Sequence, residues 1–332
     1  MGMSALRRIQ IGLESVRGTL VAADTILLGA LQYTDQRTFH QPEDEERNSL
    51  ALLHRSTELT KATSLAYTGA LTFEQALQFL SMGIKGGISP TTPTNGVLTR
   101  DWTFLPSLTA DNDQDSFTFE YGDDQQEYEC GHVMAEQLEF TFAMGEVAQI
   151  SATLFGQSTA KSSFTGGLTV PTVEDVVSQT LQYYRDTTWA GLGTTEKSAT
   201  LANAVIRVPT GLTMVRYADG STEFSTYGAA KRAAEVELTV RHNTEGEALY
   251  DAYVAQTLMF VRLEATGSLI ESVTPDYNKL FRFDGAIRLS EPPQFFEDYN
   301  GHNTVVLRGR TFHDPTSDND MSFMVRNTQT AI

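Results

Sequence analysis

The 332-residue chain is expected to fold as a mainly β protein, a β-sandwich or barrel with one flanking helix, the unit occurring twice. Three observations carry that expectation. Segments that alternate apolar and polar residues dominate the sequence, the period of a half-buried strand. Helical patterns are few and short. Strands and helices also follow one another in the same order in the two halves of the chain.

Taken along the chain, the first such strand is Ala62–Ala70. Residues Thr72–Ile84 then place Phe73, Ala76, Leu77, Leu80 and Ile84 on one stripe at 3–4 spacing, a helix opened by a Thr72/Gln75 capping box. Phe117–Tyr121 reads as a strand. Gln137–Ala143 sets Leu138, Phe140 and Phe142 against Glu139 and Thr141, and Val147–Phe155 sets Ala148, Ile150, Ala152 and Leu154 against Gln149, Ser151 and Thr153. The two runs flank Met144-Gly145 and predict an antiparallel hairpin. Val173–Thr180 is expected as a short helix. Asp219-Gly220, between Leu212–Tyr217 and Thr222–Ser225, predicts a second hairpin. Ala234–Val240 alternates Val236, Leu238 and Val240 with Glu235, Glu237 and Thr239. Thr244 and Glu247 form another capping box ahead of Leu249, Ala252, Tyr253 and Gln256. Strands Met259–Leu263, Leu280–Leu289 and Thr304–Phe312 complete the set.

Both halves thus read β-α-β-β-β. Residue identity between them is slight, so the repeat is one of order and pattern. Residues 1–156 and 170–332 are expected as two domains, with the Ser/Thr/Gly-rich stretch 157–169 (QSTAKSSFTGGLT) as linker. Two segments lack a pattern. Tyr33–Lys61 is long, polar and charged, with scattered Leu50, Leu52 and Leu53, and reads as a binding arm or a disordered segment. Asp111–Glu129 holds eight acids and no base.

Composition narrows the function. Hydrophobic residues make up 40% of the chain, with 18 Phe and 12 Tyr, enough for a folded core. Against 42 Asp and Glu stand 24 Lys and Arg, a net charge of −18 that argues against gripping nucleic acid or an anionic membrane. The excess is shared, −11 over residues 1–165 and −7 over 166–332, and solubility alone would account for much of it. No apolar run approaches the ~20 residues that span a bilayer. Met1–Gln10 carries Arg7 and Arg8 with no apolar stretch behind them, so no secretion signal is expected. A single cysteine, Cys130, rules out an intramolecular disulfide.

Searches for chemistry are thin. There is no Gly-x-Ser-x-Gly elbow, phosphate-binding loop or His-Glu-x-x-His motif, and Gly191-Leu-Gly193 lacks a third glycine. Cys130-Gly131-His132 has no orienting third group, so a buried structural cysteine is the better reading. Asp111-Asn-Asp113-Gln-Asp115 begins like a calcium loop, but Ser116 and Gly122 stand where glycine and glutamate are required. A solvated acidic loop is the default there, as at Asp314–Asp320. No catalytic, cofactor or metal residue is assigned, and no enzyme activity is expected.

Phe117-Thr-Phe-Glu-Tyr-Gly122, then Tyr128–His132 and the hairpin Gln137–Gly156 (QLEFTFAMGEVAQISATLFG), resembles the closing half of a tail-tube domain of long-tailed bacteriophages. Glu14-Ser-Val-Arg-Gly-Thr19-Leu-Val-Ala-Ala-Asp24 is similar to the opening of that family, and a capped mid-domain helix fits it. The resemblance covers most of residues 10–156 and, through element order, 200–314. It implies a tail-tube-type β-sandwich assembling into rings that stack into a hollow tube, the conduit for genome ejection into the host. A duplicated chain implies a trimeric, pseudo-hexameric ring, with a plain hexamer as the alternative. Other implied partners are tail proteins such as the tape measure and the terminator. DNA would pass through the lumen without specific binding, with no membrane involved. The location would be the virion tail, after synthesis in the host cytoplasm, and no cofactor is implied.

The loop after the first strands is where similar proteins grip the next ring. Here that implies Thr38, Phe39, Glu43, Asp44, Glu45, Glu46 and Arg47. The polar strand faces supply lumen candidates: Glu139, Thr141, Gln149, Ser151 and Thr153 in the first half, and Glu235, Glu237 and Thr239 in the second. Alternation guarantees only that these leave the core. The rival function is a carbohydrate-binding β-sandwich on a virion or cell surface, using Trp102, Trp189 or Tyr183-Tyr184 as exposed aromatics. Core packing or a subunit interface is the plainer role for those rings.

Overall fold

A computed structural model describes residues 2–332. The N-terminal half holds β1 (Arg8–Leu13), β2 (Thr25–Ile26), β3 (Ala30–His40), β4 (Thr57–Ala70), α1 (Ala76–Gly83), β5 (Arg100–Phe104), β6 (Phe117–Gly122), β7 (Glu127–Ala143), β8 (Gln149–Gly156) and β9 (Ala160–Ser162). The C-terminal half holds β10 (Leu181–Asp186), β11 (Leu201–Pro209), β12 (Leu212–Val215), β13 (Thr226–Ala229), β14 (Glu235–Arg241), α2 (Thr244–Val254), β15 (Met259–Glu271), β16 (Tyr277–Leu289), β17 (Gln294–Tyr299), β18 (His302–Thr311) and β19 (Met321–Asn327). The chain is mainly β, and seventeen of its strands form one hydrogen-bonded antiparallel network.

Each half has two layers that share a strand. In the first, one layer runs β3–β4–β8–β7 and the other β2–β1–β6–β7–β9. The 17-residue β7 serves both, pairing with β6 as far as Val133 and with β8 from Met134, with a register shift between Ala135 and Gln137. An extra residue of this kind bends a strand and raises its twist, which lets β7 turn the corner. In the second half one layer runs β11–β14–β18–β17, and the other β10–β15–β16–β19. The end of β16 also pairs with β18.

Strand pairing joins the halves twice. β11 pairs with β7 from Asn203↔Ala143 to Pro209↔Gln137, and β5 pairs with β19 from Phe104↔Phe323 to Arg100↔Asn327. The main core is shared as well: Phe140 packs on Phe281 and Phe323 with ring centroids 5.5 and 5.4 Å apart. Residues 157–169 are strapped to the first half. β9 pairs with β7, and Thr165 donates from its backbone and hydroxyl to the Glu120 carboxylate.

Several expectations need correction. The helix at Thr72–Ile84 shortens to Ala76–Gly83 and is buried on every side. Thr72 Oγ1 accepts from Gln75 N at 3.0 Å, but the Gln75 side chain turns to Leu28 N and Ile26 O, satisfying the β2–β3 connection and leaving the box half made. The second box moves up one residue. Asn243 is the cap, accepting from Glu245 N and Gly246 N, while Glu247 pairs with His242. Val173–Thr180 is not a helix. Val176 bridges Leu71 and Ala148 in extended form, with a single 3-10 turn only at Ser178–Thr180. The Asp219-Gly220 hairpin exists, but its strands end at Val215 and resume at Thr226. Tyr33–Lys61 is strand at both ends, since β3 pairs with β4 from Ala30↔Thr68 to His40↔Thr57, and residues 41–56 form the tip of a long hairpin.

Candidate functional site

All eight lumen candidates lie on one face of one sheet. Directly opposed residues in an antiparallel ladder point the same way, so register alone fixes the face. Glu139 stands opposite Ser151, Thr141 opposite Gln149 and Gln137 opposite Thr153 on β7 and β8. Across the joint Glu139 faces Arg207 of β11, which faces Glu235 of β14. Val205 faces Glu237, and Asn203 faces Thr239. The sheet therefore runs β3–β4–β8–β7–β11–β14–β18–β17 without interruption and carries candidates from both halves. Its other face is apolar and buried, lined by Leu65, Tyr67, Leu138, Phe140, Ile206, Val236, Leu238 and Leu307.

Charge on the polar face is balanced strand by strand. Arg207 Nε lies 2.6 Å from Glu139 Oε2, and its other arm lies 3.6 Å from Glu237. Arg308 Nε reaches Glu237 at 2.9 Å, and Arg310 reaches Glu235 at 2.8 Å. Hydrogen bonding to Glu237 raises the Arg308 guanidinium above its ordinary value. Such half-exposed pairs contribute about 0–1 kcal/mol each. Their larger effect is on the surface potential, since the acids singled out from the sequence are neutralised by arginines. The only sequence signal for Arg207 is the alternation of Ala204, Ile206 and Val208 in Leu201–Pro209, a strand absent from the expected set. Arg308 and Arg310 alternate with Leu307 inside a predicted strand, but pairing with β14 is a long-range fact.

The loop candidates divide. Thr38 and Phe39 belong to β3, where the Thr38 hydroxyl shares a hydrogen bond with Thr60 and Phe39 is exposed. Glu43, Asp44, Glu45, Glu46 and Arg47 lie in the tip. Glu45 pairs with Arg55 and lies 3.9 Å from Arg47, which donates to the carbonyls of Ala51 and Leu52. That fold-back leaves Leu50, Leu52 and Leu53 exposed at the crown.

Other candidates have structural partners. The buried Cys130 thiol donates to Gln157 O at 3.0 Å, and burial pushes its pKa up to about 12. The His132 ring packs on Phe224, and burial lowers its pKa. Asp113 pairs with Arg17, while the Asp115 carboxylate accepts from Gly87 N, with burial raising its pKa. Among the described residues no three His, Cys, Asp or Glu side chains converge as a metal ion requires. Asp314 accepts from the Ser317 hydroxyl and from Thr316 N and Ser317 N, bonds that lower its pKa and close the tail turn. None of the four proposed sugar-stacking aromatics is fully exposed, Tyr184 and Trp189 being half-buried with Trp189 packed on Phe260. Trp102 is buried with its Nε1 donating to Asn327, and Tyr183 is buried with its hydroxyl donating to Glu245. No helix among the described residues is long and apolar enough to cross a membrane. No protein-family model matches the chain, and no curated protein matches it in sequence.

Proposed function

We propose that this protein is a structural tail-tube protein of a long-tailed bacteriophage, built from two copies of one β-sandwich. In this reading it forms trimeric rings of pseudo-sixfold symmetry, and the rings stack into a conduit for DNA. The carrying observation is the correspondence between the halves in strand pairing. The pairs β1–β6, β3–β4, β4–β8, β6–β7, β7–β8 and β7–β9 correspond one for one to β10–β15, β11–β14, β14–β18, β15–β16, β16–β18 and β16–β19. α1 and α2 follow the equivalent strands β4 and β14. Chance similarity of composition does not produce six matched pairings.

The polar face supports the conduit part of the reading. A wall of hydroxyls, amides and neutralised carboxylates has no cationic surplus with which to hold a duplex carrying about one charge per ~1.7 Å. The chain's net charge of −18 points the same way. The protruding β3–β4 hairpin, with its leucine-tipped crown, is suited to reach the next ring.

Negative-stain micrographs of the purified chain test the proposal. Rings or tubes are expected, and end-on averages should show six similar lobes with threefold symmetry. Monomers at every concentration would overturn it. Strict sixfold symmetry at side-chain resolution would replace the duplicated trimer by six full chains.

A further inference from the structure

The internal joint between the halves is a template for a second one. Position along the sheet is set by the helix that follows it. Thr72 accepts from Gln75 N two residues beyond Ala70, and Asn243 accepts from Gly246 N two residues beyond Arg241. Ala70 and Arg241 therefore hold the same rank. The row through Ala70 continues to Gln149 and Thr141, and the row through Arg241 continues to Thr304 and Glu297. On the other side, Ala30 faces Thr68 as Asn203 faces Thr239. Residues Ala30–Thr34 of β3 are thus the counterparts of Asn203–Arg207 of β11. β7 is matched in the second half by β16 and then β17, which pair in turn along the same side of β18, and Gln294–Tyr299 of β17, less the bulged Phe296, hold the places beside β18 that Glu139–Ala143 of β7 hold beside β8.

In the internal joint β11 pairs with β7 through seven residue pairs. Its two counterparts are open. β3 pairs only with β4 and β17 only with β18, and no other backbone group among the described residues bonds to either strand. They lie at opposite ends of the eight-strand sheet, seven spacings of ~4.8 Å or about 34 Å apart along it, so they are not partners within one chain. The side chains agree. Ala204 and Ile206 are fully buried at the internal joint, whereas Tyr33 is 40% exposed and lines with Leu31, Tyr121 and Tyr128 an open groove of about 1300 Å³.

We propose that β3 of one copy adds antiparallel to β17 of a second copy in the register of the internal joint, setting Ala30 opposite Tyr299, Gln32 opposite Glu297, Tyr33 opposite Phe295 and Thr34 opposite Gln294. The polar residues Gln32, Thr34, Gln294 and Glu297 then extend the polar face across the contact, and Tyr33 meets Phe295 on the apolar one. Head-to-tail pairing is heterologous, so it propagates until a ring closes, and it covers two edges that would otherwise template aggregation. This deepens the assembly reading above and rests on it for the expectation that copies meet.

Engineered cysteines test the register. Gln32→Cys with Glu297→Cys places two thiols directly opposite, within reach of a disulfide, while Leu31→Cys with Glu297→Cys puts them on opposite faces. Under a mild added oxidant the first pair should give about tenfold more reducible multimer than the second. Each site is on an edge strand, Gln32 and Glu297 on the polar face and Leu31 partly buried against the core, and circular dichroism of each variant checks the fold. Rings or tubes without this difference in cross-linking would overturn the joint and leave the assembly reading standing. Cross-linked multimers that never form rings or tubes would uphold the joint and overturn the conduit. A chain that stays monomeric and uncross-linked at every concentration would overturn both.

Discussion

At Glu14 one buried carboxylate accepts four hydrogen bonds, from Gly18 N, Ser116 Oγ, Thr118 Oγ1 and His132 N. It closes the turn in which Gly18 adopts φ +74° and ties the N-terminal segment to β6 and β7. Glu14→Ala strands four donors away from water and should cost about 3 kcal/mol, read as a lower urea midpoint at unchanged slope. Glu14→Gln brings a donor among donors and should recover little. Cys130 makes a separate prediction about pH. An unfolded thiol ionises near ~8.5, while burial holds the folded one up to about 12. Between those values the unfolded chain has released a proton that the folded chain keeps. The contribution is therefore intact below the unfolded value and is lost as pH rises toward the folded one. Burial raises Tyr67 and Tyr121 in the same sense. The melting temperature should fall with rising pH above about 8.5, and Cys130→Ala should make that fall shallower. Native Cys130 should also resist thiol reagents at neutral pH until the chain is unfolded.

Among the elements, the β3–β4 hairpin is where the proposed assembly can be tested apart from stability. Its outer stem and tip, beyond the part of β4 paired with β8 from Thr63 to Ala70, add little core. Replacing residues 41–56 with a short turn should leave the melting temperature nearly unchanged, while tubes shorten or break into single rings in micrographs. Full-length tubes from that variant would remove the tip from the inter-ring contact. On the polar face, Glu237 lies between Arg207 and Arg308. Glu237→Lys would set three cations side by side, and should lower stability by about 1 kcal/mol or more. The loss should shrink in high salt, because the repulsion is screened there. Glu237→Gln should cost less, and its smaller deficit should also shrink in high salt, because the attraction it lacks is screened there in the parent chain.

For the whole molecule, the shared core and the two interhalf pairings make independent unfolding of residues 1–156 and 170–332 unfavourable. Arg326 and Asp101 add a two-pronged ion pair at 2.6 and 3.0 Å across β5 and β19, and Lys279 reaches Glu74 at 2.6 Å. Heating should therefore give one transition with calorimetric and van't Hoff enthalpies in agreement. Two resolved transitions would mean that the joint is weaker than its pairing suggests. The same continuity produces one polar face, so any role of that face belongs to the whole chain and not to either half.

The sequence alone determined the local features. Period-two alternation identified the β7–β8 hairpin, β14 and β18, because the side of a strand that meets water is written residue by residue. Two helices were legible from apolar residues at 3–4 spacing behind a capping residue. Helix ends were less so: Asn243 displaced Thr244 as cap, and Gln75 left its box for the backbone of Leu28 and Ile26. Only the tertiary structure decided which polar faces lie together. Glu139 and Glu235 are 96 positions apart in the chain, and the strand that unites them, β11, was not recognised. It also decided that β3 is a strand, since exposed polar residues leave no apolar alternation to read. Charge balance was hidden likewise, for a composition counts acids and bases but only register sets Arg207 beside Glu139. Periodicity is a property of neighbours along the chain, whereas pairing depends on residues that folding alone brings together.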